Sequence, residues 1–483
     1  MRIIIASSEA VPYVKTGGLA DVAGALLKEL RERGEQVSLI LPLYAGIREC
    51  FVLHETGRSF TLDLGVFALH GAVWTSDTSA VPSAYFIECE ELFNRPELYG
   101  TAYGDYHDNA LRFAFFSKAI LETCQIFNIR PDVIHCNDWQ TGLIPLYLKD
   151  YYCDRPHFRE TATVMTIHNL GYQGLFNKGD IRYTGLGWEY FTIDKVEFHD
   201  MLNYLKAGLI YADLINTVSQ TYAREILMPE NGFGLDSLLR ARKADLYGII
   251  NGIDYGEFDP SLDTLLPVVY SRDSLDARAA SRQALREQAG LEQNERPIIG
   301  VVGRFSSQKG LDLVAGAIEG LVDLGVDLVI LGKGEEHYHT LLAGLAGQYP
   351  GRVSLTIGFS EQAARLIYAG ADFFLMPSRY EPCGLGQLIA LRYGAIPIAR
   401  RTGGLADTIR DYDSKAGKGT GFLFAEYSVA ALLGAVRRAL SVYRHPDRFR
   451  SLIREAMADD FSCERSASYY LMLYRKAVMK VSR

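Results

Sequence analysis

The chain has 483 residues, of which 48% are hydrophobic and 22% charged, and these values are ordinary for a folded globular protein. This length is too great for one hydrophobic core and predicts two domains of roughly 200 to 250 residues each. The net charge of −8 argues against a nucleic-acid-binding protein, which would need a basic face.

The cysteines and the apolar segments indicate in which cellular compartment the protein is expected. The seven cysteines are scattered and form no C-x-x-C pair, so neither a disulfide framework nor a zinc site is expected. The apolar start of the chain is interrupted by Glu9 and Lys15 and is too short for a signal peptide, and no run of about 18 apolar residues predicts a membrane span. We therefore expect a cytoplasmic protein that contacts no membrane.

Short apolar runs alternate with longer amphipathic runs along most of the chain. The strand and helix candidates of the first half are residues 2–7, 19–32, 36–41, 133–136, 163–167 and 214–218. Residues 50–93 break this rhythm with shorter alternating runs, which are typical of added hairpins. The first half is therefore expected to be α/β with an insertion.

The second half repeats the alternation more regularly. Strands are predicted at residues 297–302, 327–331, 353–357, 372–377 and 396–399, and helices at 311–324, 335–348, 361–370 and 385–393. This order is typical of a parallel, doubly wound sheet. A turn-rich segment at 251–254 places the domain boundary near residue 248, and residues 463–481 have the spacing of one more amphipathic helix.

Two cations follow the first strand of the second half. In open α/β sheets ligands bind beyond the carboxyl ends of the strands, which is where Arg304 and Lys309 are predicted to lie. Two cations beside a helix N-terminus suit a diphosphate. The alternative is that both are solvated surface charges, but their position after a strand favours the binding site.

A second glycine-rich segment, residues 378–386, follows the strand predicted at 372–377. Glu381 has the chemistry to hold sugar hydroxyls, while the backbone N–H groups of Leu385 and Gly386 suit phosphate oxygens. The alternative is that Glu381 is only a helix-start charge and Cys383 a small buried residue. Phe359 also follows a strand and is either a neighbour of a nucleotide base or a core residue.

The hexapeptide Thr-Gly-Gly-Leu-Ala-Asp occurs twice, at residues 16–21 and 402–407. Each copy predicts a loop that offers backbone N–H groups to an anion, and only the first copy is preceded by Lys15. His168 and Asn169 follow a predicted strand in the first half, either as site residues or as a core pair, and Asp138 follows another strand in the same half. The aspartates of the 411–413 triplet precede a surface loop rather than ending a strand, so no metal site is predicted there.

Taken together, these residues resemble the bacterial and plant glycogen/starch synthases over nearly the whole chain. The resemblance rests on segments 15–22, 138–141, 168–174, 205–208, 232–236, 251–254, 303–304, 308–310, 381–385 and 400–407. Each segment alone is weakly specific, but their shared order along the chain is highly specific.

The resemblance implies the GT-B fold, with two Rossmann-like doubly wound domains that face each other across a deep cleft. It implies an acceptor-side domain over 1–248, a nucleotide-sugar-binding domain over 249–460 and a final helix, 461–483, that crosses back to the first domain. The implied reaction transfers glucose from ADP-glucose to the non-reducing-end 4-hydroxyl of an α-1,4-glucan (glycogen). The implied reaction retains the anomeric configuration and uses neither a cofactor nor a metal.

The family also implies roles for single residues. Lys15 and the backbone of Gly17 and Gly18 would face the donor phosphates, and Arg304 and Lys309 would neutralise them. The residues expected around the glucose are Glu381, His168, Asp138, Asp21 and Asn251. The other expected substrate-binding residues are Tyr172, Gln173, Cys383, Leu385 and Gly386.

The chain departs from the family pattern at uncharged positions. Gly386 stands where Thr is common, Gly171 replaces a usual Ala, Asn137 a usual His and Ser307 a frequent Trp. Because no charged catalytic group is lost, we expect activity. The alternatives are another nucleotide sugar such as UDP-glucose, a phosphorylase-like reaction, and a non-catalytic glucan-binding protein.

Overall fold

The computed structural model describes residues 1–101 and 103–482. The chain forms two compact units. The first contains Met1–Val218, Ala223–Ile249 and Ser466–Arg483, and the second contains Ser219–Tyr222 and Ile250–Arg465.

The first unit is built on a nine-stranded sheet in the order β14-β13-β9-β8-β1-β2-β5-β4-β3. Its strands run parallel from β14 to β5, and the long hairpin of β3 and β4 adds two antiparallel strands at the β5 edge. The strands up to residue 248 are β1 (Arg2–Ala6), β2 (Gln36–Pro42), β3 (His54–Leu64), β4 (Phe67–Thr75), β5 (Ala84–Glu88), β6 (Gly100–Thr101), β7 (Gly104–Asp105), β8 (Val133–Asn137), β9 (Ala162–Ile167), β10 (Leu175–Asn177), β11 (Glu197–Phe198), β12 (Met201–Asn203), β13 (Leu214–Thr217) and β14 (Leu246–Gly248).

Helices follow most of the parallel strands. The helices up to residue 241 are α1 (Gly18–Glu32), α2 (Ile47–Cys50), α3 (Glu90–Phe93), α4 (Asn109–Ile126), α5 (Ile144–Asp150), α6 (Tyr204–Tyr211), α7 (Gln220–Glu225) and α8 (Asp236–Ala241). In α1 the buried residues Leu19, Ala23, Leu26 and Leu30 recur at helical spacing and cover the sheet.

The central strands β1, β8 and β9 are almost wholly buried, as expected for parallel strands covered on both faces. Ile5 pairs with His135, and His135 pairs with Val164, so the three strands end at one edge of the sheet. The strand order reverses between β1 and β8, which makes this edge the expected ligand position of the unit.

The second unit has a six-stranded, all-parallel sheet in the order β17-β16-β15-β18-β19-β20. Its strands are β15 (Ile298–Phe305), β16 (Asp327–Gly334), β17 (Val353–Ile357), β18 (Phe373–Met376), β19 (Ile396–Arg400) and β20 (Phe422–Phe424). The remaining helices are α9 (Arg278–Gln288), α10 (Leu311–Asp323), α11 (Glu336–Ala346), α12 (Glu361–Gly370), α13 (Gly386–Tyr393), α14 (Gly403–Thr408), α15 (Val429–Tyr443), α16 (Pro446–Met457) and α17 (Cys463–Val481).

The doubly wound α/β prediction is confirmed in both halves, but the neighbouring strands β15 and β16 both extend further than predicted. Strand β15 continues to Phe305 because its last residues pair with the end of β16, Arg304 opposite Lys333. Arg304 therefore lies within the strand end and not in the loop after it. The glycine and the charge in this segment carry no apolar pattern that would have extended the strand.

The C-terminal helix packs on the first unit through tyrosine hydroxyls. The hydroxyl of Tyr474 lies 2.8 Å from Nδ1 of the buried His135, whose Nε2 lies 2.7 Å from the Thr166 hydroxyl. Burial lowers the pKa of His135 to about 3, so the ring is a neutral bridge between helix and sheet. Among the described residues no helix combines the length and apolar character needed to span a bilayer.

Candidate functional site

Asp138 follows β8 at the edge where the central strands of the first unit end. It has φ of +54°, a backbone conformation that costs a non-glycine residue of order 1–3 kcal/mol. Its carboxylate accepts the His168 backbone N–H at 2.7 Å, and its own N–H donates to the Thr166 carbonyl at 3.0 Å. These bonds hold the strained residue and fix the direction of its carboxylate.

The surroundings of Asp138 change its acidity. Burial raises the pKa of this carboxyl to about 7, although the backbone N–H groups of His168 and Asn169 act in the opposite direction. The charge of Glu9 contributes to the increase. A carboxyl group with a raised pKa at the end of a central strand is a candidate site residue.

His168 follows β9 and is fixed by Asn137. Its Nε2 donates to Asn137 Oδ1 at 2.9 Å, and Asn137 in turn donates to the Ala6 carbonyl at 3.0 Å. Burial lowers the pKa of His168 to about 3. The imidazole is therefore neutral near pH 7, and it serves as a hydrogen-bonding group with a fixed tautomer.

The glycine loop before α1 is held by a buried carboxylate. Glu9 Oε2 accepts the backbone N–H groups of Thr16 and Gly17 at 2.5 and 3.1 Å, and the Thr16 hydroxyl donates to both carboxylate oxygens at 2.9 and 3.0 Å. Next to them the exposed Lys15 ammonium lies 2.7 Å from Asp21 Oδ1. Burial raises the pKa of Asp21, against the charge of Lys15.

Tyr172 and Gln173 lie on the segment that follows His168, and their side chains differ. Tyr172 is exposed. Gln173 is buried, donates to the Phe233 carbonyl at 3.0 Å and accepts from Asn203 at 2.6 Å. Gln173 thus ties the 168–174 segment to the 232–236 segment, and its carboxamide is occupied by protein groups.

The second unit brings Lys309 and Glu381 together where its strand order reverses, between β15 and β18. The Lys309 ammonium lies 2.9 and 2.7 Å from the two carboxylate oxygens of Glu381, and the Ser378 hydroxyl donates to the same carboxylate at 2.9 Å. Gly310, at φ +72°, allows this approach because a Cβ atom there would lie 2.2 Å from the Pro377 carbonyl oxygen.

Arg304 is exposed at the same edge of the sheet, at the end of β15. Arg304 at the end of β15 and Lys309 in the turn after it place two cations beside the switch point of the strand order. The N-terminus of α13 lies after β18, with Leu385 and Gly386 half-buried. This combination suits an anionic group with several oxygens.

Cys383 and Asn251 form a buried pair behind this helix start. Burial raises the pKa of the Cys383 thiol to about 12, and the Asn251 backbone N–H donates to its sulfur. The side chain of Asn251 is 5% exposed, and its Oδ1 has no hydrogen-bond partner among the described residues. A buried amide oxygen in this state favours a donor from a ligand, such as a hydroxyl.

The two copies of the repeated hexapeptide have different surroundings. In the second copy a Cβ atom at Gly403 would lie 1.9 Å from the Glu381 carbonyl oxygen, and one at Gly404 would lie 2.1 Å from that of Cys383. The Gly404 N–H donates to the Glu381 carbonyl at 3.0 Å. The second copy therefore supports the backbone of the Glu381 segment, whereas the first carries Lys15 and is bound by Glu9.

Phe359 and the aspartates of the 411–413 triplet are the remaining candidates of the sequence analysis. Phe359 is 82% exposed, so the interpretation as a core residue is wrong. Asp411 accepts from the Leu423 N–H at 2.8 Å and pairs with Arg438, and Asp413 accepts the N–H groups of its own turn. Across residues 1–101 and 103–482 no three acidic, histidine or cysteine side chains are grouped as metal ligands.

Sequence reasoning gave no role to Glu9, Tyr99 or Ser378. Glu9 and Ser378 each stand just beyond the carboxyl end of a buried strand, β1 and β18, and that position was the available signal. Tyr99 donates to Glu9 at 3.0 Å from 90 residues away in the chain, and no local pattern announces it.

Comparison with known proteins identifies the family. Residues 2–241 match the starch synthase catalytic domain and residues 282–456 match the glycosyl transferases group 1. The chain is 46% identical to a glycogen synthase of Syntrophotalea carbinolica over 480 residues, 99% of each chain. It is 45% identical to a glycogen synthase of Moorella thermoacetica over 481 residues, covering 99% of this chain and 97% of that one.

Solved structures agree with this result. The catalytic domain of starch synthase IV from Arabidopsis thaliana, bound to ADP and acarbose, superimposes with a TM-score of 0.91 at 32% identity, over 99% of each chain. A sucrose-phosphate synthase from Thermosynechococcus elongatus has the same fold, with a TM-score of 0.62 at 20% identity over 98% of each chain. The chain belongs to the glycogen/starch synthase family of glycosyltransferases and has the GT-B fold.

Proposed function

We propose that the protein is a retaining glucosyltransferase that elongates an α-1,4-glucan. In the reaction the bond between glucose C1 and the diphosphate of ADP-glucose breaks, and a bond forms between C1 and the 4-hydroxyl oxygen at the non-reducing end of the glucan. ADP leaves with the electron pair, and the hydroxyl proton passes to the leaving phosphate. The observation that carries this proposal is the grouping of Lys309, Glu381 and the α13 N-terminus at the switch point of the second unit.

The chemistry demands strong positive potential at the leaving group. As the C1–O bond breaks, negative charge grows on the diphosphate, and fixed cations and backbone N–H groups that meet this charge lower the barrier. In this assignment Arg304, Lys309 and the N–H groups of Leu385 and Gly386 bind the diphosphate of the donor. Lys15, which lies in the loop before α1, is also assigned to bind the donor phosphates.

Carboxylates and neutral polar groups serve the sugar in this proposal. Glu381, Asn251, Asp138, His168 and Asp21 bind or flank the glucose, and the exposed Tyr172 contacts substrate. Both oxygens of Glu381 already contact the Lys309 ammonium, which favours a fixed, charge-balancing carboxylate over a nucleophile. We therefore favour attack on the same face as the leaving group, and isolation of a covalent glucosyl-enzyme contradicts that choice.

ADP-glucose is the proposed donor, and neither a metal nor another cofactor is proposed. The presence of ADP in the starch synthase IV structure supports ADP as the leaving group. The proposed location is the cytoplasm, which is supported by the seven cysteines, since none of them is joined in a disulfide within residues 1–101 and 103–482.

The test is to incubate the purified protein with glycogen and either ADP-glucose or UDP-glucose and to measure the nucleoside diphosphate released. We expect release of ADP that depends on glycogen, and a loss of about 10²- to 10³-fold in Lys309→Ala. Lys415→Ala, which removes an exposed lysine from a surface turn, is the matched control and retains full activity. Release of UDP alone reassigns the donor, and release of neither contradicts the proposal.

A further inference from the structure

Glu9 is 4% exposed, and its carboxylate accepts hydrogen bonds from Thr16 and Gly17 in the loop before α1 and from the Tyr99 hydroxyl. Glu9 stands just after β1, and the chain then makes a tight turn in which Ala10 pairs with Val14 before it reaches Lys15. The carboxylate therefore lies directly behind the loop that carries Lys15, Gly17 and Gly18.

We propose that Glu9 is a positioning residue of the glucosyl transfer and acts by holding the 15–18 loop in one conformation. This inference rests on the proposed function, because the loop has a task only if Lys15 serves the donor. Glu9 itself is not expected to touch substrate, since its oxygens are taken up by protein groups.

The hydrogen bonds of Glu9 leave the loop little freedom. Oε2 accepts from two successive backbone N–H groups, those of Thr16 and Gly17, and the Thr16 hydroxyl donates to the same carboxylate. These two residues separate Lys15 from Gly18, the first residue of α1. Fixing both N–H groups fixes the backbone direction on either side, and with it the starting direction of the Lys15 side chain.

The loop itself supplies no side-chain cap to the start of α1. Gly17 occupies the N-cap position of α1 and has no side chain to accept the N–H groups of the first turn. A carboxylate at this end also interacts favourably with the helix dipole. Glu9 accepts the N–H groups of Thr16 and Gly17, which lie just before the first turn of α1, and so fixes the direction in which the chain enters the helix.

A second layer holds Glu9 in turn. The hydroxyl of Tyr99 donates to Oε1 at 3.0 Å and lies 2.7 Å from the Ser8 hydroxyl. Burial, together with the charge of Glu9, raises the pKa of Tyr99 well above its usual value, so the phenol stays protonated as a donor. The buried charge is therefore satisfied by hydrogen bonds, as a buried carboxylate must be.

The competing interpretation is that Glu9 only stabilises the fold. A purely structural residue and a positioning residue differ in two measurable ways. Loss of a positioning residue loosens one loop and lowers turnover through the group on that loop, so its effect disappears when this group is already gone. Loss of a purely structural residue lowers the unfolding temperature, and its effect on kcat/KM multiplies with the effect of any second substitution.

The experiment compares Glu9→Ala, Glu9→Gln, Lys15→Ala and the double variant Glu9→Ala/Lys15→Ala in the full-length protein. We expect kcat/KM for the donor to fall by about 10²-fold in Glu9→Ala, because a small misplacement of a positioning element has effects of this size. Glu9→Gln, whose amide oxygen still accepts the Thr16 and Gly17 N–H groups, is expected to recover a large part of the activity. The double variant is expected to lie within about 3-fold of Lys15→Ala.

Hydrogen exchange of the segment 10–20, followed by mass spectrometry, is the readout that needs no activity. Faster exchange in Glu9→Ala is expected there, and Glu32→Gln, an exposed charge on the same helix, serves as the control and leaves exchange and activity unchanged. Independent multiplication of the two kinetic effects, or unchanged exchange, overturns the inference. If the wild type transfers no glucose from either donor, the proposed function fails, and exchange alone then decides whether Glu9 holds the loop.

Discussion

The ammonium of Lys309 and the carboxylate of Glu381 form a two-oxygen ion pair, with Nζ 2.7 and 2.9 Å from the carboxylate oxygens, although 72 residues separate them in the chain. Strands β15 and β18 are neighbours in the sheet, so the loops that follow them meet. Glu381 is buried, whereas the Lys309 side chain is partly exposed. The two side chains therefore act as one unit, in which each fixes the position and the charge of the other.

This pairing predicts strong non-additivity. We expect Lys309→Ala and Glu381→Ala each to lower kcat by about 10²- to 10³-fold, because either change removes one partner of a preorganised charge pair. The double variant is expected to be only slightly worse than the single variants. Kinetics of the four proteins test this, and a double variant whose loss equals the product of the single losses contradicts the coupling.

Asp138 predicts a change of stability with pH. Its pKa is about 7 in the folded protein against an ordinary 3.8, so between these values the folded state keeps a proton that the unfolded state has lost. Stability falls as the pH rises through this window, and above pH 7 the full penalty remains. Asp138→Asn removes the titration while its amide oxygen still accepts the backbone N–H groups.

Asp138→Asn is therefore expected to unfold at a higher temperature than the wild type at pH 8, and the advantage is expected to vanish near pH 4. At pH 8 the gain is on the order of a few kcal/mol, since one pKa unit corresponds to ~1.4 kcal/mol. Thermal unfolding measured at several pH values is the test. An equal difference at both pH values shows that the carboxyl titrates normally.

Because the His168 ring is neutral, its NMR signals are expected not to change with pH near neutrality. With a pKa near 3, its ring carbon signals are expected to stay unchanged between pH 5 and 8, and comparison with His168→Gln identifies them. Asn137→Asp places a carboxylate at the ring nitrogen and is expected to raise the pKa of His168. A wild-type midpoint near 6.5 contradicts the neutral imidazole of His168.

Substitutions of Gly386 test whether the glycine that stands where the family commonly has threonine affects donor binding. A Cβ atom there would lie 3.2 Å from the Phe374 ring, so any side chain requires a small shift of that ring. Gly386→Ala adds only this carbon, whereas Gly386→Thr also adds a hydroxyl near the proposed phosphate site. We expect a donor KM about 3- to 10-fold lower in the threonine variant than in the alanine variant, the value of one hydrogen bond. Equal KM values show that the hydroxyl has no role.

Substitution of Gly404 is expected to lower the stability of the fold without removing a functional group. Gly404→Ala places a carbon 2.1 Å from the Cys383 carbonyl oxygen and is expected to lower the unfolding temperature by several degrees, since backbone must move. Gly434→Ala on α15 meets no atom within 4 Å and is expected to stabilise by roughly 0.5–1 kcal/mol. An equal unfolding temperature in Gly404→Ala and Gly434→Ala would contradict this prediction.

The alternation of apolar and amphipathic runs was sufficient to predict the α/β class and most strand positions, because buried parallel strands are short and continuously apolar. The strand ends then indicated Asp138, His168, Lys309 and Glu381 as site candidates. The direction of each side chain was not predictable, since it depends on which strands become neighbours. For this reason the inward-facing amide of Gln173, the exposed ring of Phe359 and the long-range pair of Glu9 and Tyr99 required the structure.

The central claim is the transfer of glucose to a glucan with retention of configuration. Its most direct measurement is to incubate the protein with ADP-glucose and maltohexaose and to analyse the products by mass spectrometry and proton NMR. The account predicts chains lengthened by single glucose units, with the anomeric proton signal of α-1,4 linkages, and no such products in Lys309→Ala. Release of free glucose, formation of β-linked product or unchanged maltohexaose would contradict it.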